Sequence, residues 1–280
     1  MLFPTLDFAV FLPLAVLAYW ATPRVWRIWT LLLASVLFYA SWNATYLLLL
    51  AGVVLVAWLG ARRLARVKSA QKDPRRLRTA LVLGLLTPLI VFKYWNWLSG
   101  DLVGALGAAG VTLALPSVRL ALPIGISFFT FQAIAYVVDA GRSGRAEPRL
   151  VNMASFITFF PQLIAGPIVR GHELLPQMSA LPLLQRGHVS EGLFRIGKGL
   201  TKKVIIADVL RVGMVDPLFS DPGRFTGPEL MVGLYAYTMQ IYYDFSAYTD
   251  IAIGAGLLFG LRLPENFDRP YVALTVTDFW

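Results

Sequence analysis

Apolar and charged residues follow one another in this sequence as long blocks rather than as single alternating positions. Between Asp7 and Arg24 lie 16 uncharged residues, roughly 24 Å of helix at 1.5 Å per residue, which spans a bilayer core once its flanks contribute. Positions 28–61 form an uncharged block of 34 residues, too long for one crossing and suited to two joined at the polar, aromatic turn Ser41-Trp42-Asn43-Ala44-Thr45. A further span is predicted over 79–98, where Lys93 sits among Tyr94, Trp95 and Trp97 at headgroup depth. Another is predicted over the 19 uncharged residues 120–138. Less clean runs cover 204–219, 228–243 and 247–261, with Asp208, Arg211, Asp244 and Asp250 in or beside them. Positions 102–118, with Gly104, Gly107 and Gly110, fit either a tightly packed short helix or an interfacial piece. The apolar run 150–169 contains Pro161, Gly166 and Pro167 and is followed by basic residues, so a re-entrant bend is predicted there instead of a crossing. The fold class expected is all-α, a polytopic transmembrane helical bundle of about seven to nine membrane-embedded helices with at least one re-entrant or broken segment. Neither repeats nor low-complexity tracts divide it, so residues 1–280 are expected to form a single membrane domain.

Composition agrees: 57% apolar and 15% charged residues over 280 positions are more apolar surface than one soluble core can hide. The net charge of +9 does not point to nucleic acid, because Lys and Arg gather between the apolar blocks rather than along one face. Positions 62–78 hold eight of them (Arg62, Arg63, Arg66, Lys68, Lys72, Arg75, Arg76, Arg78) against Asp73 alone. With the N-terminus outside, that loop, the pair Arg24 and Arg27, and the group Arg142, Arg145 and Arg149 all fall on the inner side. Asp7 stands where a signal peptide would carry Lys or Arg, so the first apolar block is expected to be a retained span. Zero cysteines exclude disulfides, thiolate metal sites and a cysteine nucleophile. His172 and His188, the two histidines, lack metal-site spacing and are expected to be solvated loop residues; no metal is expected.

Gly192 to Gly199 spells GxxxxGK, but Gly199 replaces the Ser or Thr that a phosphate-binding loop needs, and no buried strand precedes it. An interfacial helix with Arg195, Lys198 and Lys202 toward headgroups is the expectation. Gly254, Gly256 and Gly260 are assigned to helix packing. Three stretches fit lipid-facing helix poorly. LPIGISFFTFQ (122–132) needs polar partners for freed backbone and for the Gln132 amide, and FPQLIAGPIVR (160–170) puts Gln162, Gly166 and Pro167 on non-helical backbone at membrane depth. Around 240–250, Gln240, Tyr243 and Asp244 share one helical face and Ser246 and Asp250 a neighbouring one, a polar stripe that implies an internal cavity or a structural polar network.

These stretches, together with Lys93-Tyr94, KKVIIAD (202–208), YYDFSAYTDIAIGAGLLFG (242–260) and PENFDRPY (264–271), resemble the membrane-bound O-acyltransferase family, in particular its bacterial branch that acetylates alginate and other exopolysaccharides. The resemblance runs over nearly the whole chain. It implies an enzyme moving an acyl group, most often acetyl, onto a hydroxyl, with acetyl-CoA or a donor made from it as cofactor. It also implies a polysaccharide acceptor, a periplasmic acyltransferase partner protein and a place in the bacterial inner membrane. The family's catalytic histidine lies in a segment after the equivalent of Trp280, so residues 1–280 are expected to be the N-terminal portion of such a fold and inactive alone; neither His172 nor His188 matches that position. Gln240, Tyr243, Asp244, Ser246, Asp250 and Asn266 are the expected pocket-lining residues, with Gln132, Gln162, Gly166 and Pro167 as a second set on the opposite wall. The competing expectations are a transporter whose broken helices form a path without covalent chemistry, and a non-catalytic assembly subunit.

Overall fold

Helix is the only regular structure among the described residues of the computed structural model, namely 3, 5–109, 120–180 and 182–279. The chain divides into two compact units, Asn43–Thr158 on the one hand and Met1–Trp42 with Phe159–Trp280 on the other.

The first of these contains α3 (Leu47–Ser69), α4 (Arg75–Trp97), α5 (Val103–Ala108), α6 (Ile126–Ser143) and α7 (Leu150–Thr158). On α3, Leu50, Val53, Val54, Ala57, Ala61 and Leu64 recur at helical spacing and are buried. They form a stripe that meets the α6 stripe of Phe129, Ala133, Val137 and Ala140. The expected turn at 41–45 is present as a short 3₁₀ segment, Ala44–Tyr46, where the Asn43 side chain accepts from the Thr45 amide at 2.9 Å. The basic stretch 62–78 is not a loop throughout: α3 runs on to Ser69, which places Arg66 and Lys68 in its last turn, where cations favour the helix dipole. The predicted span 120–138 begins late. Pro123 precedes a left-handed Gly125 (φ 73°), and α6 starts only at Ile126. Leu120 is held extended by Asn96, whose amide donates to its carbonyl (2.8 Å) and whose oxygen accepts from its amide (2.9 Å). Positions 110–118 of the small-residue stretch lie outside the described residues; its first part forms α5.

The run 150–169 is broken, as its prolines and glycine predict. Helix α7 ends at Thr158, Phe159 is non-helical, and the short α8 (Phe160–Leu163) gives way to irregular backbone. Polar side chains satisfy the freed groups on each side of the break. Gln132 donates to the Phe156 carbonyl at 3.0 Å within one unit, and Ser35 Oγ accepts from the Phe160 amide at 3.2 Å within the other.

The second unit holds α1 (Leu6–Ala21), α2 (Arg27–Asn43, up to Trp42), α8, α9 (Gly171–Ser179), α10 (Arg186–Thr201), α11 (Asp208–Leu210), α12 (Asp216–Ser220), α13 (Gly227–Leu258) and α14 (Val276–Phe279). Phe160 is the hub of its aromatic core, with ring centroids 5.2 Å from Phe11, 5.4 Å from Phe38 and 5.7 Å from Phe259. Two π-helical stretches, Lys202–Ala207 and Arg211–Val215, extend α10 toward α12. The expected spans 228–243 and 247–261 are one helix: α13 has 32 residues, about 48 Å of rise. It opens on a capping box between Thr226 and Glu229, with Pro228 in its first turn. Asp244 and Asp250 do not interrupt it, because their carboxylates are matched from outside the helix.

Among the described residues, two helical runs, Arg24–Ser69 and Arg75–Ala105, are long and apolar enough to cross a bilayer, and Leu6–Ala21 is apolar but shorter.

Candidate functional site

The antiparallel pair α10 and α13 approaches closely because both helices carry small residues seven apart. A Cβ on Gly254 would lie 2.5 Å from the Gly192 carbonyl oxygen, and one on Gly199 would lie 2.7 Å from that of Ala247. Packing through small residues, as the sequence predicts for Gly254, is therefore observed. The same spacing places Arg195 and Lys202 between and beyond the glycines of α10, facing α13. Their expected headgroup-facing orientation is corrected: with Lys198, they turn toward carboxylates.

Asp250 is the centre. Its side chain is 4% exposed, and its Oδ1 accepts from Arg195 Nη1 at 2.8 Å and Lys198 Nζ at 3.3 Å, while Oδ2 accepts from Lys202 Nζ at 2.6 Å. Lys202 Nζ also donates to Ser246 Oγ at 2.6 Å. Arg195 reaches outward to Glu265, whose carboxylate receives both of its terminal nitrogens. A buried carboxylate alone would cost several kcal/mol; here its oxygens receive three charged donors, which offsets the loss of water.

A second cluster lies nearly two turns away along α13, at Asp244. Lys203 Nζ stands 2.7 Å from Asp244 Oδ1 and 2.9 Å from Asp208 Oδ1, with Arg211 at 3.7 Å from Asp208. Consecutive residues of an α-helix point about 100° apart, yet Lys202 and Lys203 both serve acids of α13. Both lysines lie in the π-helical stretch that begins at Lys202.

Among the residues expected from sequence, Ser246 and Asp250 share the first cluster and Asp244 the second. Asn266 donates to Thr249 Oγ1 at 3.2 Å, one residue before Asp250. Gln240 and Tyr243 are half-buried on α13 and are not brought into either cluster by the contacts above; Tyr243 stacks on Tyr242 with centroids 5.2 Å apart. Gln132 serves the break after α7. Gln162 is buried within α8 and Gly166 and Pro167 in the turn after it, where a Cβ on Gly166 would overlap Gln162. An apolar cleft of about 620 Å³ along α1 is lined by Leu193, Ile196, Ile251 and Leu258, and by none of these polar residues.

Sequence reasoning missed the cations of α10 and Glu265 as partners. The signal was present: Gly192, Arg195, Gly199 and Lys202 repeat at three and four, the spacing of one packed face. The histidines also need correction. His172 is exposed on α9, 3.8 Å from Glu173, but His188 lies in α10 and is 8% exposed, its Nε2 3.2 Å from Arg262 Nη2. Because Arg262 can only donate, that nitrogen is the acceptor.

Residues 34–280 match the family model described as MBOAT, membrane-bound O-acyltransferase family. A protein of Pseudomonas aeruginosa named "Probable alginate O-acetylase" is 36% identical over 283 residues, covering 97% of this chain and 52% of its own length. The "Peptidoglycan O-acetyltransferase" of Helicobacter pylori is 34% identical over 294 residues, covering 94% of this chain and 54% of its own length. The "Teichoic acid D-alanyltransferase" of Bacillus subtilis is 27% identical over 203 residues, covering 71% and 48% respectively. The chain thus spans about half the length of the curated relatives it matches. Since the matched region takes in α10, α13 and both ion-pair clusters, the chain belongs to the membrane-bound O-acyltransferase family.

Proposed function

We propose that this chain is part of a multi-pass O-acyltransferase of the bacterial inner membrane that esterifies hydroxyls of an envelope polysaccharide or cell-wall glycan, acetyl being the group transferred. The observation that carries this reading is the family match over 34–280, joined by relatives of 34% and 36% identity whose names are those of O-acetylating proteins. The proposed architecture is a single membrane domain with its N-terminus outside, about seven to nine embedded helices and the break at Phe159 as the re-entrant segment. The general base is the histidine that the family resemblance places beyond Trp280, so residues 1–280 alone form no ester.

Within this chain, Asp250 and Asp244 act as positioning residues. They hold α10 against α13 through Arg195, Lys202 and Lys203, so that Ser246, Tyr243 and Gln240 line the pocket from a rigid helix and Asn266 from the segment after it. Gln162, Gly166 and Pro167 form its second wall. Acetyl-CoA is the proposed donor and a periplasmic acyltransferase the proposed partner. The α10 cations do not fit the phosphates of that donor, because Asp250, Glu265, Asp244 and Asp208 already engage them.

The test is expression of the full-length protein, with its partner, in a bacterium deleted for its own envelope O-acetyltransferases, followed by assay of alkali-labile acetate on extracted glycan. Ester acetate is expected, with loss on changing the histidine beyond Trp280. Folded full-length protein that moves a solute but leaves every glycan unesterified supports the transporter reading instead.

A further inference from the structure

Outside the α10–α13 network, the basic residues at the end of α3 form a structured feature that the acyltransferase reading does not use. The last two turns of α3 and the loop between α6 and α7 enclose an open cleft of about 660 Å³ lined by Arg62, Arg66, Ser69, Gly144, Arg145 and Pro148. Three arginines line it, and no carboxylate is among its described lining residues. The nearby Glu147 carboxylate is occupied, accepting from the Arg149 amide at 3.0 Å and Asn152 Nδ2 at 3.1 Å. Asp73 is likewise paired with Arg75 at 3.9 Å.

The cleft is also held in shape. Arg62 lies over the Trp58 ring at 4.7 Å, and Trp58 Nε1 donates to the Glu147 carbonyl at 3.1 Å, which ties the loop to α3. The Tyr136 hydroxyl accepts from the Glu147 amide at 2.6 Å and fixes the same loop from α6. Gly144 is left-handed (φ 72°), and a Cβ there would meet Lys68 at 3.3 Å, so the chain turns tightly beside the arginines.

Its depth suits one chemistry. Leu55, Val56 and Leu59 of α3 are exposed and apolar, and the first charge of the helix comes at Arg62, beside Trp58. That transition from lipid-facing residues through tryptophan to arginine marks the level of lipid phosphates. We propose that this cleft is a phosphate-binding site at the inner membrane surface, filled by the headgroup of an anionic phospholipid. Arginine forks grip phosphate oxygens in pairs, and the open side of the cleft admits a headgroup whose acyl chains run up beside Leu55 and Leu59.

The test uses the full-length protein purified in detergent and analysed by native mass spectrometry after addition of phosphatidylglycerol or phosphatidylcholine. Selective retention of phosphatidylglycerol is expected, and the triple variant R62Q/R66Q/R145Q should lose it by roughly tenfold or more. All three side chains are solvent-accessible, so the variant should fold, which an unchanged melting temperature checks. K72Q/R75Q/R76Q removes three exposed charges outside the cleft and should retain the lipid. Equal loss in both variants, or no loss in either, overturns the site. A parallel arm with coenzyme A separates the source of the phosphate: if coenzyme A retention falls in the cleft variant while phosphatidylglycerol retention does not, the lipid assignment is overturned. Neither readout depends on ester formation, so failure here is distinguishable from failure of the acyltransferase reading.

Discussion

Asp250 and Glu265 hold the same arginine in opposite environments, one carboxylate 4% exposed and the other 53%. Removing the first leaves Lys198 and Lys202 without a counter-charge and Arg195 with Glu265 alone. D250N is therefore expected to cost about 3–5 kcal/mol, whereas E265Q should cost about 0–1 kcal/mol. Thermal unfolding in detergent, followed by loss of the monodisperse gel-filtration peak, measures both. Comparable melting temperatures for the two variants would show that Asp250 is not the anchor. Likewise, K203M leaves Asp208 and Asp244 without their shared cation and should lower the melting temperature. Adding D244N to K203M should restore part of it by removing one of the two stranded charges; a further drop in the double variant argues against coupling. At this scale the acids were legible in the sequence, since a charge in an apolar helix demands a partner. The identity of the partner was not, because periodicity orders a helix about its own axis and says nothing of its neighbour.

Between elements, the contact of α10 with α13 rests on glycines with different surroundings. Gly254 has the Gly192 backbone at its face, while a Cβ on Gly197 would meet nothing within 4 Å. G254A should push the helices apart and cost about 1–3 kcal/mol. G197A should leave stability unchanged or raise it by about 0.5–1 kcal/mol through helix propensity. Melting temperatures of the two variants check this, and equal behaviour would remove the close approach as a determinant. The sequence predicted the break after α7 correctly in kind, from Pro161, Gly166 and Pro167, but carried the span 120–138 through Pro123 and Gly125, where α6 has not yet begun. It divided α13 into two apolar runs, because Asp244 interrupts the apolar block until the cation that faces it is placed beside it. The Thr226 to Glu229 capping pair, by contrast, marks the start of this helix in sequence terms alone.

For the whole molecule, charge asymmetry gives an orientation. Three basic clusters fall on one side if the N-terminus is outside, so a reporter inserted between α3 and α4, at 70–74, is expected to report cytoplasm. High alkaline phosphatase activity from that fusion would reverse the orientation. Sequence by itself determined that the protein is helical, that its solvent is lipid, that the run 150–169 is broken and which family it resembles. Those properties are sums over many residues or local consequences of proline and glycine, and neither needs a neighbour to be known. Tertiary structure alone decided that Asp250 of α13 is answered by α10 and the π-helical stretch after it, across separations of 48 to 55 residues. It also decided that His188 is buried and that Arg62, Arg66 and Arg145 line one cleft. Each of these depends on contacts of a few ångströms between elements distant in the chain, which no pattern along one helix encodes.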